Sequence, residues 1–126
     1  MDKVTKETTW REIKHSQRFL NAFRGLYVVK QSTRHFSFHI FVATLVIIFG
    51  FYFKISSVEW IALVLVIGIV FIAETFNTAI EIDINLTSPE YHPYAKDTKD
   101  VAAGAVLLAS LIAVIIGLII FLPRFF

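Results

Sequence analysis

The run Val58 to Asn85, VEWIALVLVIGIVFIAETFNTAIEIDIN, decides the fold. Between Ile61 and Ala73 it carries no polar side chain, and the apolar character continues past the acid that follows. Such a run is too long for a strand and fits a helix whose solvent is hydrocarbon. Glu59 and Trp60 open it as headgroup-level residues. At 1.5 Å per residue, Glu74 lies about 22 Å along the axis from Glu59 and Glu81 about 33 Å. Against a hydrocarbon layer about 30 Å thick, Glu74 falls just inside the far boundary and Glu81 just outside it. In direction the two differ by about 20°, with Asn77 and Thr78 within about 60° of them. One helix face therefore carries acid, amide or hydroxyl, and acid from lipid into water. Ionisable groups at membrane depth are costly and are kept mainly where they work.

Working outward, an apolar run precedes this helix and another follows it. The first spans residues 36–53, with His39 and Thr44 as its polar interruptions. A lone histidine there reads as a packed or hydrogen-bonded interior residue rather than a metal ligand. Lys54, Ser56 and Ser57 make a connection so short that the first two spans must form an antiparallel hairpin. After residues 58–85, Pro89 and Pro93 interrupt the chain, and Pro93 suits the first turn of a further helix. That helix is expected over residues 94–122, apolar from Val101 and ending at Pro123-Arg124. Ala105, Ala109, Ala113 and Gly117 form a small-residue stripe for close helix contact along it. Before the spans, residues 10–31 alternate Trp10, Ile13, Phe19, Phe23, Leu26 and Tyr27 with Arg11, Lys14, Arg18 and Lys30. This is the pattern of an amphipathic helix on an anionic membrane surface. No signal-peptide core lies near the start, so the first span is expected to act as its own insertion signal.

The expected class is an all-α integral membrane protein, residues 1–126 forming one domain, with an N-terminal surface helix and three transmembrane helices. Hydrophobic residues make up 56% of the chain, more than a soluble core of this size can hide. Eight of the twelve Lys and Arg residues precede the first span, which places the N-terminus, and by alternation the loop after Glu81, in the cytoplasm. The absence of cysteine excludes a disulfide framework and thiolate metal sites. No phosphate-binding glycine loop of either standard nucleotide fold occurs, and no nucleic-acid partner is expected. What remains is an intramembrane carboxylate, a second carboxylate two turns on, an amide between them, and Lys96, Lys99 and Asp100 sharing a face nearby. That set suits Mg-nucleotide chemistry at a water–lipid boundary. It also suits a cation site, a proton relay or a structural ion-pair network.

ETFNTAIE at 74–81, EYHP at 90–93 and AKDTKDVAAGAVLL at 95–108 resemble the signature of the prokaryotic diacylglycerol kinase family. The likeness runs from about Arg18 to Pro123. HPYAKDTKDVAAGAVL and IIGLIIFLPR look closer to its undecaprenol kinase branch. The resemblance implies a homotrimeric kinase of the bacterial cytoplasmic (inner) membrane. It would transfer the γ-phosphoryl of Mg-ATP to a lipid alcohol, undecaprenol first and diacylglycerol second. On this resemblance Glu74 matches the general base, Asn77 a residue that orients the site, and Glu81 a Mg²⁺ ligand. Lys99 and Asp100 match nucleotide contacts, Glu90, Tyr91 and His92 the enclosing loop, and Lys14 and Asn21 nucleotide-contacting positions of the surface helix. Two positions depart from the family pattern. Thr33 stands where a second metal-binding Glu is usual, and Asn85 where an Asp is usual. These departures motivate the alternative of a non-catalytic nucleotide- or lipid-binding membrane protein of the same fold. A small ion or proton carrier using Glu74 ranks last, since it gives Lys99 and Asp100 no task.

Overall fold

The computed structural model describes residues 17–126, which form four helices: α1 Arg18–Ser32, α2 Arg34–Tyr52, α3 Ser57–Thr87 and α4 Pro93–Phe125. By length and composition α2, α3 and α4 can each cross a membrane. The first part of the surface helix expected over residues 10–31, with Lys14, lies outside the described residues.

Each helix boundary has a local cause. Thr33 is extended, so it ends α1; its hydroxyl then accepts from His35 N at 3.1 Å and caps α2. Lys54 adopts a left-handed φ of 51°, which reverses the chain in the tight turn between α2 and α3. Ser56 and Glu59 form a reciprocal capping box, Ser56 N donating to Glu59 Oε1 at 3.0 Å and Glu59 N to Ser56 Oγ at 3.2 Å. His92 caps α4, its Nδ1 accepting from Tyr94 N at 3.1 Å, with Pro93 in the first turn.

Helix α4 does not stop at Pro123, as its proline suggests, but continues to Phe125. So near the terminus the ring costs one backbone bond only. The Arg124 guanidinium folds back and donates to the Ile120 carbonyl.

Helices α3 and α4 pack along most of their length, α2 rests more lightly on α3, and α1 lies against α2 and α3. The small-residue stripe divides. Ala109 is buried, Ala113 and Gly117 are half-buried, and Ala105 is exposed. The tightest apolar cluster is Ile55, Leu63 and Ile120, flanked by Val46, Phe53, Trp60 and Phe121 at the hairpin-turn end. There Trp60 lies across Gly50, where a Cβ would come within 2.6 Å of the indole. Arg124 also reaches α3, donating to Glu59 Oε1 at 2.7 Å and Oε2 at 2.9 Å. The bundle is thus clamped at one end, and its buried acid stands toward the other.

Candidate functional site

Helix α3 carries its polar side chains in two tiers. In the inner tier Glu74 is only 2% exposed and Thr78 is buried beside it. The threonines are spent on their own helix: Thr78 Oγ1 donates to the Glu74 carbonyl at 2.9 Å and Thr75 Oγ1 to the Phe71 carbonyl at 2.8 Å. Neither hydroxyl is free to orient the carboxylate. Its partner among the described residues is on α2, where His39 Nε2 lies 3.1 Å from Glu74 Oε1. Among the described residues, the other carboxylate oxygen, Glu74 Oε2, and the Asn77 Oδ1 are buried with no hydrogen-bond partner. A buried acceptor left unpaired carries the full cost of its lost hydration, so the pair marks where a donor is wanted. In the outer tier Glu81 is exposed two turns further along α3.

The hairpin explains the His39–Glu74 contact. His39 stands 17 residues before Ser56 and Glu74 18 residues after it, so antiparallel helices of equal rise bring them level. The sequence holds that signal, yet read one helix at a time it is invisible, and His39 enters the site only through the fold.

A second cluster forms where the end of α3, the connecting loop and the first turns of α4 enclose a cleft of about 290 Å³. Asn85, Ser88, Glu90, Tyr91, His92, Lys96 and Lys99 line it. Lys99 Nζ donates to Asn85 Oδ1 at 2.7 Å, so a neutral amide holds the ammonium in place without cancelling its charge. Lys96 is paired with Asp100 one turn along α4. Of the residues singled out from sequence, Glu90, Tyr91, His92 and Lys99 come together here. Glu74 and Asn77 make the inner tier, and Glu81 stands outside both. Asp100 is exposed beside its lysine, Asn21 is exposed on α1, and Thr33 sits at the α2 cap.

Glu81 is an exposed carboxylate, a hard oxygen donor of the kind a divalent cation takes. Among the described residues no three His, Asp or Glu side chains gather as a closed cage. Such an open donor fits an ion that arrives on phosphate oxygens and keeps several waters.

A third feature lies within the membrane-spanning part. An apolar cleft of about 390 Å³ opens between α2, α3 and α4, walled by residues such as Val42, Val66, Val70, Ala113 and Gly117. His39 and Ser110 are its polar members. His39 therefore touches the apolar cleft and the buried acid at once.

The sequence matches the family described as prokaryotic diacylglycerol kinase over residues 20–121. An undecaprenol kinase of Bacillus subtilis is 44% identical over 106 residues, covering 84% of this chain and 86% of that protein. A diacylglycerol kinase of Synechocystis is 38% identical over 106 residues, covering 83% of this chain and 61% of the relative. A diacylglycerol kinase of Helicobacter pylori is 32% identical over 69 residues, 55% of this chain and 54% of its own length.

Proposed function

Because the chain belongs to the prokaryotic diacylglycerol kinase family and so phosphorylates a lipid alcohol, we propose that undecaprenol is its acceptor and Mg-ATP its donor. Diacylglycerol is the second candidate. The likeness to an undecaprenol kinase over most of both chains supports that order, and the 38% identity to a diacylglycerol kinase keeps the second in play.

The observation that carries the mechanism is the unpartnered Glu74 Oε2, buried on the helix that also bears the exposed Glu81. In our reading Glu74 is the general base. A carboxylate oxygen that has no donor among the described residues and faces an acceptor hydroxyl can take its proton. The alcohol proton passes to Oε2, the alcohol oxygen bonds the γ-phosphorus, and the bond from that phosphorus to the ADP oxygen breaks, its electron pair leaving with ADP. Asn77 orients the hydroxyl. Lys99 meets phosphate in the outer cleft, with Asp100 alongside, and Glu90, Tyr91 and His92 close over the nucleotide. The family likeness adds Asn21 and Lys14 as further nucleotide contacts. Glu81 would hold Mg²⁺, and Thr33 would add at most a hydroxyl. When bound, the ion neutralises charge that builds on the transferring group. Little else is required, since phosphoryl transfer rests mainly on positioning and electrostatics.

The same reading takes residues 1–126 as one kinase domain in the bacterial cytoplasmic membrane, assembled as a homotrimer. The exposed Phe19, Phe23 and Leu26 of α1 support a helix lying on the membrane surface. The basic N-terminal region supports a cytoplasmic site.

The test is lipid-dependent transfer from labelled ATP by purified protein, with undecaprenol, diacylglycerol or no lipid. Undecaprenol should give the highest rate, and Glu74→Gln should lower kcat by about 100-fold or more. Preference for diacylglycerol would reverse the order of acceptors. MgATP binding without any transfer would favour the non-catalytic alternative, and a fully active Glu74→Gln would remove the proposed base.

A further inference from the structure

Building on the assignment of Glu74 as the base, we propose that His39 is its positioning residue, holding Oε1 so that the buried, unpartnered Oε2 is the atom presented to the acceptor hydroxyl. An ionised carboxylate can only accept, so the imidazole donates through Nε2–H at 3.1 Å. The ring is itself fixed. Phe38 meets it edge-on at 5.8 Å between centroids and Phe71 at 6.5 Å. No other side chain competes for the role: the neighbouring threonines are bound to backbone carbonyls, and among the described residues His39 is the only ion-pair partner of Glu74.

The arrangement divides the carboxylate between two tasks. Oε1 stays an acceptor whether or not Oε2 carries the alcohol proton, so the His39 bond holds through the transfer. The imidazole neither gains nor loses a proton. It sets direction, and direction matters because small errors in a reacting group's placement cost large factors in rate. His39 also lines the apolar cleft, so it sits where an acceptor's hydrocarbon meets the acid.

The experiment compares His39→Leu, His39→Gln and Glu74→Gln with the parent. The acceptor is whichever of undecaprenol and diacylglycerol gives the higher rate, and rates are referred to protein that elutes as a single species. Glutamine places an N–H near the position of Nε2 but cannot act as an imidazole base, whereas leucine fills the space without a donor. We expect His39→Leu to lower kcat by about tenfold to a hundredfold at nearly unchanged KM for ATP. His39→Gln should recover to within about threefold of the parent. A leucine variant within about twofold of the parent, or a glutamine variant as impaired as leucine, would overturn the proposal. If Glu74→Gln is inactive while His39→Leu is unimpaired, only the role of His39 falls. If Glu74→Gln keeps its rate, the base assignment falls instead.

Discussion

Lys99 and Glu74 show how single residues are prepared for chemistry by what does not neutralise them. Glu74 has an imidazole on one oxygen and, among the described residues, no partner on the other, and Lys99 has a neutral amide acceptor. Lys96, by contrast, is paired with Asp100 on its own helix. Lys99 is therefore the cation of the outer cleft with charge to spend on phosphate. Replacing it with methionine should raise KM for ATP by about tenfold or more, the weight of one charge-assisted bond, with a smaller effect on the lipid KM. Initial rates at varied ATP would read this directly. The acid–amide–acid face of α3 was legible because helical direction follows from spacing alone. The contacts around it were not, since His39 reaches Glu74 across a hairpin and Asn85 accepts from Lys99 across a proline-broken loop.

At the scale of the elements, starts and stops carry most of the information. Pro93 and the short Lys54–Ser57 connection each state their role locally, and the structure uses each in that way, while the Ser56–Glu59 capping box emerges from the structure. Packing is less legible. Trp60 reads as a headgroup anchor, yet its ring lies across Gly50, and the Glu59 beside it is held by Arg124 from the far end of α4. Both contacts depend on how closely two helices approach, which no single segment reveals. Gly50 has no need of unusual backbone angles; its value is the missing Cβ. Gly50→Ala should therefore push the indole aside and destabilise the hairpin by about 1–3 kcal/mol. Gly25→Ala, where a Cβ would meet nothing, is the control. Thermal melting of both variants in one detergent would compare them, and equal midpoints would contradict this account.

Taken whole, the molecule is polar at its ends and apolar around its middle, with large aliphatic side chains such as Val64, Leu65, Leu108 and Ile119 exposed. The proposed orientation puts Ser88 and the outer cleft in the cytoplasm and Lys54 outside. Since the chain has no cysteine, Ser88→Cys and Lys54→Cys are clean reporters. An impermeant thiol reagent added to intact cells should label the second and spare the first, and the opposite pattern would invert the topology. The unequal lengths of the helices have a further consequence. At 1.5 Å per residue, the 19 residues of α2 reach about 28 Å, whereas α3 and α4, with 31 and 33, extend well beyond any lipid core. A mismatch with longer or shorter acyl chains therefore falls on α2, the spanning helix that rests most lightly on its neighbours and carries the imidazole. Tilting α2 to suit a different bilayer would re-aim the carboxylate, so the host membrane's composition becomes a control on turnover.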